Sequence, residues 1–245
     1  MDRIYGWQTG LYDVTRAYYL LGRDRLIETL APPPGARVLE IGCGTGRNLI
    51  QSMHRWPDAH LFGIDISRVM LTKARRSILA AGGIDHISIS HGDATCFDPV
   101  ETFGAANFQR IYFSYTLSMI PEWIEALDHA AQMLPAGGAL LIADFGDQRG
   151  LPLWFRKILR VWLSIFHVTP RDDFEPVLQA LAKARGLNCE FISLYRGYSF
   201  LAVLRRPVPA AHERRHRRRT PARPSPAASS PRSICPCRSS QSAQR

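Results

Sequence analysis

The sequence predicts a doubly wound α/β domain, a sheet of seven mostly parallel strands with an antiparallel edge hairpin, and three observations carry that prediction. Short apolar, β-rich runs alternate with segments of helical spacing between about residues 25 and 205. A glycine-rich turn, "GCGTG", follows the first run directly. The last two runs are separated only by "RG" at 196–197, too short for a helix, so they read as a hairpin closing the sheet.

Taken in order, the runs are "RVLEIG" (37–42), "HLFGID" (60–65), "ISISHG" (87–92), "FQRIYFS" (108–114), "GALLIADF" (138–145), "NCEFISLY" (188–195) and "YSFLAVL" (198–204). Each is rich in β-branched or aromatic residues and bounded by turn formers. Helix-like segments at 46–55, 67–80 and 121–134 separate the earlier runs, as a parallel sheet requires. No internal repeat is visible.

Composition sets further bounds. The chain has 245 residues, 46% of them hydrophobic, enough for one domain with a real core. Its net charge of +10 suggests a nucleic-acid partner until it is mapped: residues 205–245 hold 11 Arg and one Glu, and the rest of the chain balances. No specific nucleic-acid partner is therefore expected of the domain. The tail, residues 206–245, is rich in Arg, Pro, Ser and Ala and too poor in large apolar residues to offset its ordering entropy by burial. It reads as a disordered extension or as a tether to anionic lipid or nucleic acid. No run reaches the length of a transmembrane helix and the N-terminus lacks a signal-sequence pattern, so a cytoplasmic chain is expected, with contact at the inner face of the membrane. Cys43, Cys96 and Cys189 are scattered in apolar contexts, as in a reduced compartment, and Cys235 and Cys237 form a lone C-P-C with no second pair. No metal site is expected.

The glycine turn carries the chemistry. Gly42, Gly44 and Gly46 lie where the first strand runs into a helix, so backbone there turns sharply beside a helix N-terminus and a ligand can approach without meeting Cβ atoms. A dinucleotide-binding loop would place its third glycine where Arg47 and Asn48 stand. Asp65 closes the second strand 19 residues after Gly46, and Asp93 follows the third. Three such features at consecutive strand ends mark the edge where open α/β sheets bind ligands.

With these residues in place, the chain resembles the class I S-adenosylmethionine-dependent methyltransferases over about residues 10–205, and the resemblance implies their Rossmann-like fold and their cofactor. "VLEIGCGTG" looks like their first motif, "GIDIS" with Met70 like their second-strand motif, and "GDAT" like their adenine-contacting turn. The resemblance then implies that the glycine loop and Glu40 border the methionine part. Asp65 would bind the ribose hydroxyls, Met70 would pack on adenine, and Asp93 would accept from its amino group. Ile66, Ala94 and Ser114 complete the implied cofactor set. The fourth strand departs from the family pattern, with Gln109 where an aspartate is common, and no role is assigned there.

The acceptor is sought outside this core. In "LYDVTRAYYLLGRDRLI" (11–27), Tyr12, Arg16, Tyr19 and Arg23 fall within about 60° of one another on a helix. This stripe is either a solvated face or the lining of a cap, residues 1–30, folded over the 31–205 domain, its arginines holding an acidic group. In "WFRKILRVWLSIFHV" (154–168), Arg156, Lys157, Arg160, Ser164 and His167 share an arc of about 100° and the rest of the circumference is apolar. Residues 151–168 are therefore a core helix with one wet edge or an interfacial, lipid-gripping helix on the acceptor side.

More narrowly, "YDVTRAYYLLGRDRLI" with "RVLEIGCGTGRNL" looks like the bacterial diacylglyceryl-homoserine N-methyltransferases. That resemblance implies three methyl transfers to the amine of diacylglyceryl-homoserine, giving the betaine lipid diacylglyceryl-trimethylhomoserine. Tyr12, Arg16 and Tyr19 would then form the acceptor pocket, with Arg16 or Arg23 pairing the carboxylate. The same stretch is similar to quinone-biosynthesis C-methyltransferases, except that Arg16 and Leu20 stand where those usually have Asn and Ser. A non-catalytic binding module with a basic tail is the third class. Methyl transfer asks mainly for alignment of nucleophile, methyl and sulfur, so no dedicated base is compulsory. His91 reads accordingly as a loop residue.

Overall fold

The computed structural model describes residues 20–165, 168–169 and 171–209. The chain divides into two units, residues 1–208 and 209–245, and all described secondary structure lies in the first. The expected disordered tail and the acceptor stripe residues Tyr12, Arg16 and Tyr19 lie outside the described residues, apart from the tail's first four positions.

Seven strands form one sheet. In chain order they are β1 (Arg37–Ile41), β2 (His60–Asp65), β3 (Ile87–His91), β4 (Arg110–Ser114), β5 (Ala139–Phe145), β6 (Asn188–Leu194) and β7 (Ser199–Arg205). Their spatial order is β3-β2-β1-β4-β5-β7-β6, with the first five parallel and β7 antiparallel to both neighbours. The seven-stranded α/β expectation holds, with one refinement. Of the two hairpin strands only β6 lies at an edge, opposite β3, because β7 folds back between β5 and β6. Burial explains the choice: "SFLAVL" of β7 is buried at every position, whereas β6 is exposed or half-buried everywhere except Leu194.

Helices cover both faces. Leu26 and Leu30 of α1 (Arg23–Leu30), Leu49 of α2 (Arg47–Arg55) and Leu71, Ala74 and Ile78 of α3 (Arg68–Ala80) pack in one core cluster with β1, β2 and β5. A short helix, α4 (Pro99–Phe103), precedes β4. Across the sheet, α5 (Trp123–Gln132) contributes Ala126, Leu127 and Ala130 to a second cluster. Leu178 and Ala182 of α7 (Phe174–Arg185) join the same cluster. Winding therefore reverses between β1 and β4, and the crevice at that reversal opens at the strands' carboxyl ends.

One helix departs from the core-helix expectation. Of α6 (Leu153–Ile165), only Leu159 and Leu163 are buried; they pack with Leu20, Tyr115, Phe145 and Tyr198. Arg156 and Arg160 of the presumed wet edge are half-buried, and Arg160 reaches Asp172 at 2.6 Å and Gln148 at 3.3 Å. The apolar residues Leu153, Trp154, Phe155, Ile158, Val161 and Ile165 face outward. Periodicity identifies two sides of a helix without saying which one the protein covers. Among the described residues, no helix is long and apolar enough to cross a membrane.

Candidate functional site

Two cavities meet at the glycine loop. The larger, with an empty volume of about 950 Å³ including its open mouth, is lined by Gly42, Gly44, Asp65, Ile66, Ser67, Met70, Asp93 and Ala94 on one side. Tyr115, Thr116, Met119, Ile120, Pro121 and Glu122 line the other. The second, of about 760 Å³, shares Gly42 and Gly44 and adds Arg23, Glu40, Arg47, Asn48, Lys73 and Ser114. The first is mainly apolar and the second mainly polar, so together they suit a ligand with one flat apolar end and one charged end.

The loop between them is held open by its backbone. Gly42 and Cys43 both donate their N–H to the Ile64 carbonyl at 2.9 Å. Gly42 has φ 78°, and a Cβ there would lie 2.2 Å from Thr116 Cγ2, so glycine is required twice over. Gly44, at φ 54°, directs its absent Cβ into open space and donates its N–H to Asp65 Oδ2 at 2.8 Å. Asp65 Oδ1 accepts from the Ser67 N–H at 2.8 Å, so one carboxylate ties the glycine loop to the start of α3. Gly46 differs from the ligand-approach expectation. A Cβ at Gly46 would meet Ala74 at 3.3 Å, and the residue lines neither cavity; it lets α2 pack on α3.

Asp93 is fixed by its own turn, with Oδ1 accepting from Thr95 N at 2.9 Å and Thr95 Oγ1 at 2.7 Å. Met70 enters the cleft from the first turn of α3, capped by Ser67 Oγ, which accepts the Met70 N–H at 3.3 Å. The structure thus gathers Gly42, Gly44, Asp65, Ile66, Met70, Asp93 and Ala94 around one cleft. Glu40 and Ser114 line the second cavity instead.

Glu40 is fully buried, accepting from Asn48 Nδ2 at 2.7 Å and from the Tyr112 hydroxyl at 3.2 Å. Burial outweighs those bonds and pushes its carboxyl up to about 8, and the nearby Asp65 adds to the rise. Arg23, expected in the acceptor stripe, is buried and lines this same cavity. Ser114 Oγ and Asn48 Oδ1 are buried without a hydrogen-bond partner in the protein, so a polar ligand or a water in this cavity can satisfy them.

Sequence reading missed the far wall, residues 115–122. Tyr115 adopts φ 57°, unusual for a non-glycine residue, and its hydroxyl donates to the Leu21 carbonyl. Asp144 accepts from Ser118 N at 3.1 Å and Phe145 N at 2.8 Å, anchoring the 3-10 turn, Leu117–Met119, that supplies Met119 to the cleft. Burial raises the Asp144 carboxyl to about 6. The available signal was positional: this segment follows β4 at the winding reversal. Among the described residues no histidine lines either cavity, and no cluster of three His, Cys, Asp or Glu side chains is placed to hold a metal.

Comparison with known proteins gives a consistent picture. The family model described as "Methyltransferase domain" matches residues 14–191. The chain is 27% identical over 158 residues to the demethylmenaquinone methyltransferase of Clavibacter sepedonicus, covering 60% of this chain and 61% of that protein. It is 28% identical over 127 residues to the ubiquinone/menaquinone biosynthesis C-methyltransferase UbiE of Cereibacter sphaeroides, covering 52% and 49% respectively. The matches thus span about half to three-fifths of these relatives' own length. In fold, the chain is similar to phosphoethanolamine N-methyltransferase 2 of Haemonchus contortus, solved with S-adenosyl-L-methionine. That match has a TM-score of 0.66 and 14% identity, covering 84% of this chain and 59% of that one.

Proposed function

We propose, from the premise that this chain belongs to the methyltransferase-domain family, that it transfers methyl groups from S-adenosylmethionine to the head group of a lipid-like acceptor. The cofactor is S-adenosylmethionine, which when bound supplies an electrophilic methyl carried on a sulfonium. The observation that carries the reading is the pair of cavities joined at a Cβ-free glycine loop, one apolar and walled by Asp65, Met70 and Asp93, the other polar and walled by Arg23, Glu40 and Asn48. Asp65 lines the first cavity, where a carboxylate suits ribose hydroxyls as an acceptor. Met70 and Ile66 offer an apolar surface for adenine, and Asp93 is held by Thr95 in reach of a polar edge. In the second cavity, Arg23 and Lys73 suit a carboxylate, while Ser114 Oγ suits an ammonium, a cation that would also favour the ionised form of Glu40.

The rest of the chemistry is alignment. Proximity supplies much of the rate of an in-line displacement, and an amine acceptor has only to be held as its free base. The wording of residues 12–27 and 37–49 favours the amine of diacylglyceryl-homoserine as acceptor, methylated up to three times. Two curated relatives, a demethylmenaquinone methyltransferase and a ubiquinone/menaquinone C-methyltransferase, favour a demethylated quinone as the second reading.

Lipid mass spectrometry separates them. Cells making the chain and supplied with diacylglyceryl-homoserine are expected to accumulate its mono-, di- and trimethylated forms, and an Asp65→Ala control to accumulate markedly less. Methylation of a demethylated quinone instead, with the homoserine lipid unchanged, transfers the assignment to the second reading.

A further inference from the structure

The outward face of α6 stands apart from the rest of the surface. Of thirteen large hydrophobic residues left exposed among the described residues, six belong to this helix, each between 37% and 74% exposed. At about 100° per residue, Trp154, Phe155, Ile158, Val161 and Ile165 fall within an arc of about 120°. Leu159 and Leu163 point away from that arc into the cluster with Tyr115 and Phe145. The helix is therefore anchored by a narrow inner seam and presents its broader apolar side outward. A ridge this apolar on a water-facing helix marks a contact surface.

We propose that this face seats the protein on an anionic lipid bilayer, with α6 lying in the plane of the headgroups. The helix carries Arg156, Lys157 and Arg160 and no acidic residue. Arg160 is held by Asp172, while Lys157 is exposed at the edge of the apolar arc beside Ser164. Residues 210–245 add nine Arg against one Glu in sequence, a density of positive charge that anionic headgroups attract. Apolar insertion and cationic attraction are the two contributions that together hold an interfacial helix. The charges carried by α6 itself are all positive, which matches an anionic headgroup layer.

Position gives the contact a purpose, which rests on the lipid-acceptor reading above. Tyr115, against which Leu159 and Leu163 pack, lines the larger cleft. Just beyond α6, the Thr169 N–H donates to the Ser118 carbonyl at 3.0 Å, in the 3-10 turn that supplies Met119 to the same cleft. A bilayer seated on α6 thus lies next to the elements that wall the cleft, and a hydrophobic acceptor can pass between them without crossing water.

Vesicle flotation of the full chain tests this, using vesicles of phosphatidylcholine alone and with phosphatidylglycerol added. The expected result is flotation with the anionic vesicles, reduced about tenfold or more in an Ile158→Glu, Val161→Glu double variant that loses apolar insertion. Both positions are exposed, so an unchanged S-adenosylmethionine titration verifies that the double variant is folded. Equal flotation of variant and wild type overturns the proposal, as does loss of flotation only on deleting residues 210–245, which would assign binding to the tail alone. A wild-type dimer in sedimentation that the double variant dissolves, with no vesicle binding by either, overturns it in favour of a second copy as occupant. Failure of wild type to bind S-adenosylmethionine would instead sink the methyltransferase reading and leave the flotation result standing.

Discussion

Asp65 has two duties at one carboxylate, tying the Gly44 and Ser67 N–H groups together and facing the cleft. Asp65→Ala is expected to weaken S-adenosylmethionine binding by roughly 1–3 kcal/mol, read by calorimetric titration, because a charged hydrogen-bond partner is removed. Glu40 gives a different signature. Its carboxyl titrates near 8 in the fold against an ordinary 4.5, so between those values the folded protein holds more protons than the unfolded chain. Its contribution to stability is then complete below about 4.5 and is lost as pH rises through about 8. Thermal unfolding followed across that window should show a decline that Glu40→Gln removes. A wild-type melting temperature that is flat there, or a decline equal in both proteins, would refute the assignment. Asp144 adds a smaller decline of the same sign between 3.8 and about 6. In sequence Glu40 was visible only as a residue beside the glycine motif, and Asp144 only as one position of the fifth apolar run. Whether a carboxyl is buried depends on contacts far away in the chain, such as Tyr112 over Glu40.

At the scale of elements, the turn after β1 is where sterics decide most. Gly35 and Gly42 both have positive φ, but a Cβ at Gly35 meets nothing within 4 Å while one at Gly42 collides with Thr116. Gly35→Ala is thus expected to cost about 1 kcal/mol of stability from backbone strain alone. Gly42→Ala should cost clearly more and impair cofactor binding as well; chemical denaturation of the two variants ranks them. Every strand was legible to within two residues of its ends, because runs such as "HLFGID" carry β-forming residues between clear turn formers. The orientation of α6 was not legible. Its segregated pattern fits burial of either side, and only the seam formed by Leu159 and Leu163 shows which side the fold covers. The insertion of β7 beside β5 was equally hidden, since strand order is set by pairing across the sheet and not by local pattern.

For the whole molecule, the three core clusters and both cavities, among the described residues, belong to residues 20–208. Deleting residues 210–245 is therefore expected to leave the melting temperature and the S-adenosylmethionine titration unchanged, within the scatter of distant surface changes, about 0.5 kcal/mol. A marked drop in either would give the tail a structural role. The cofactor cleft was readable in outline because three signals, the glycine turn, Asp65 and Asp93, end successive parallel strands. The wall formed by residues 115–122 had no such signal, because Met119, Ile120 and Pro121 act through shape and leave no motif.

The place of β7 also bears on how the chain is made. It pairs with β5 from Ala139↔Arg205 to Phe145↔Ser199, so the strand emerging last during synthesis fills an interior slot of the sheet. Until it is translated, one side of β5 has no partner for its backbone, and β6 has nothing to join. A nascent chain halted before Ser199 would carry an open apolar edge of the kind that captures other unfinished chains. Completion of the sheet, and with it the docking site for α6 against Phe145 and Tyr198, therefore waits for the last seven residues of the fold.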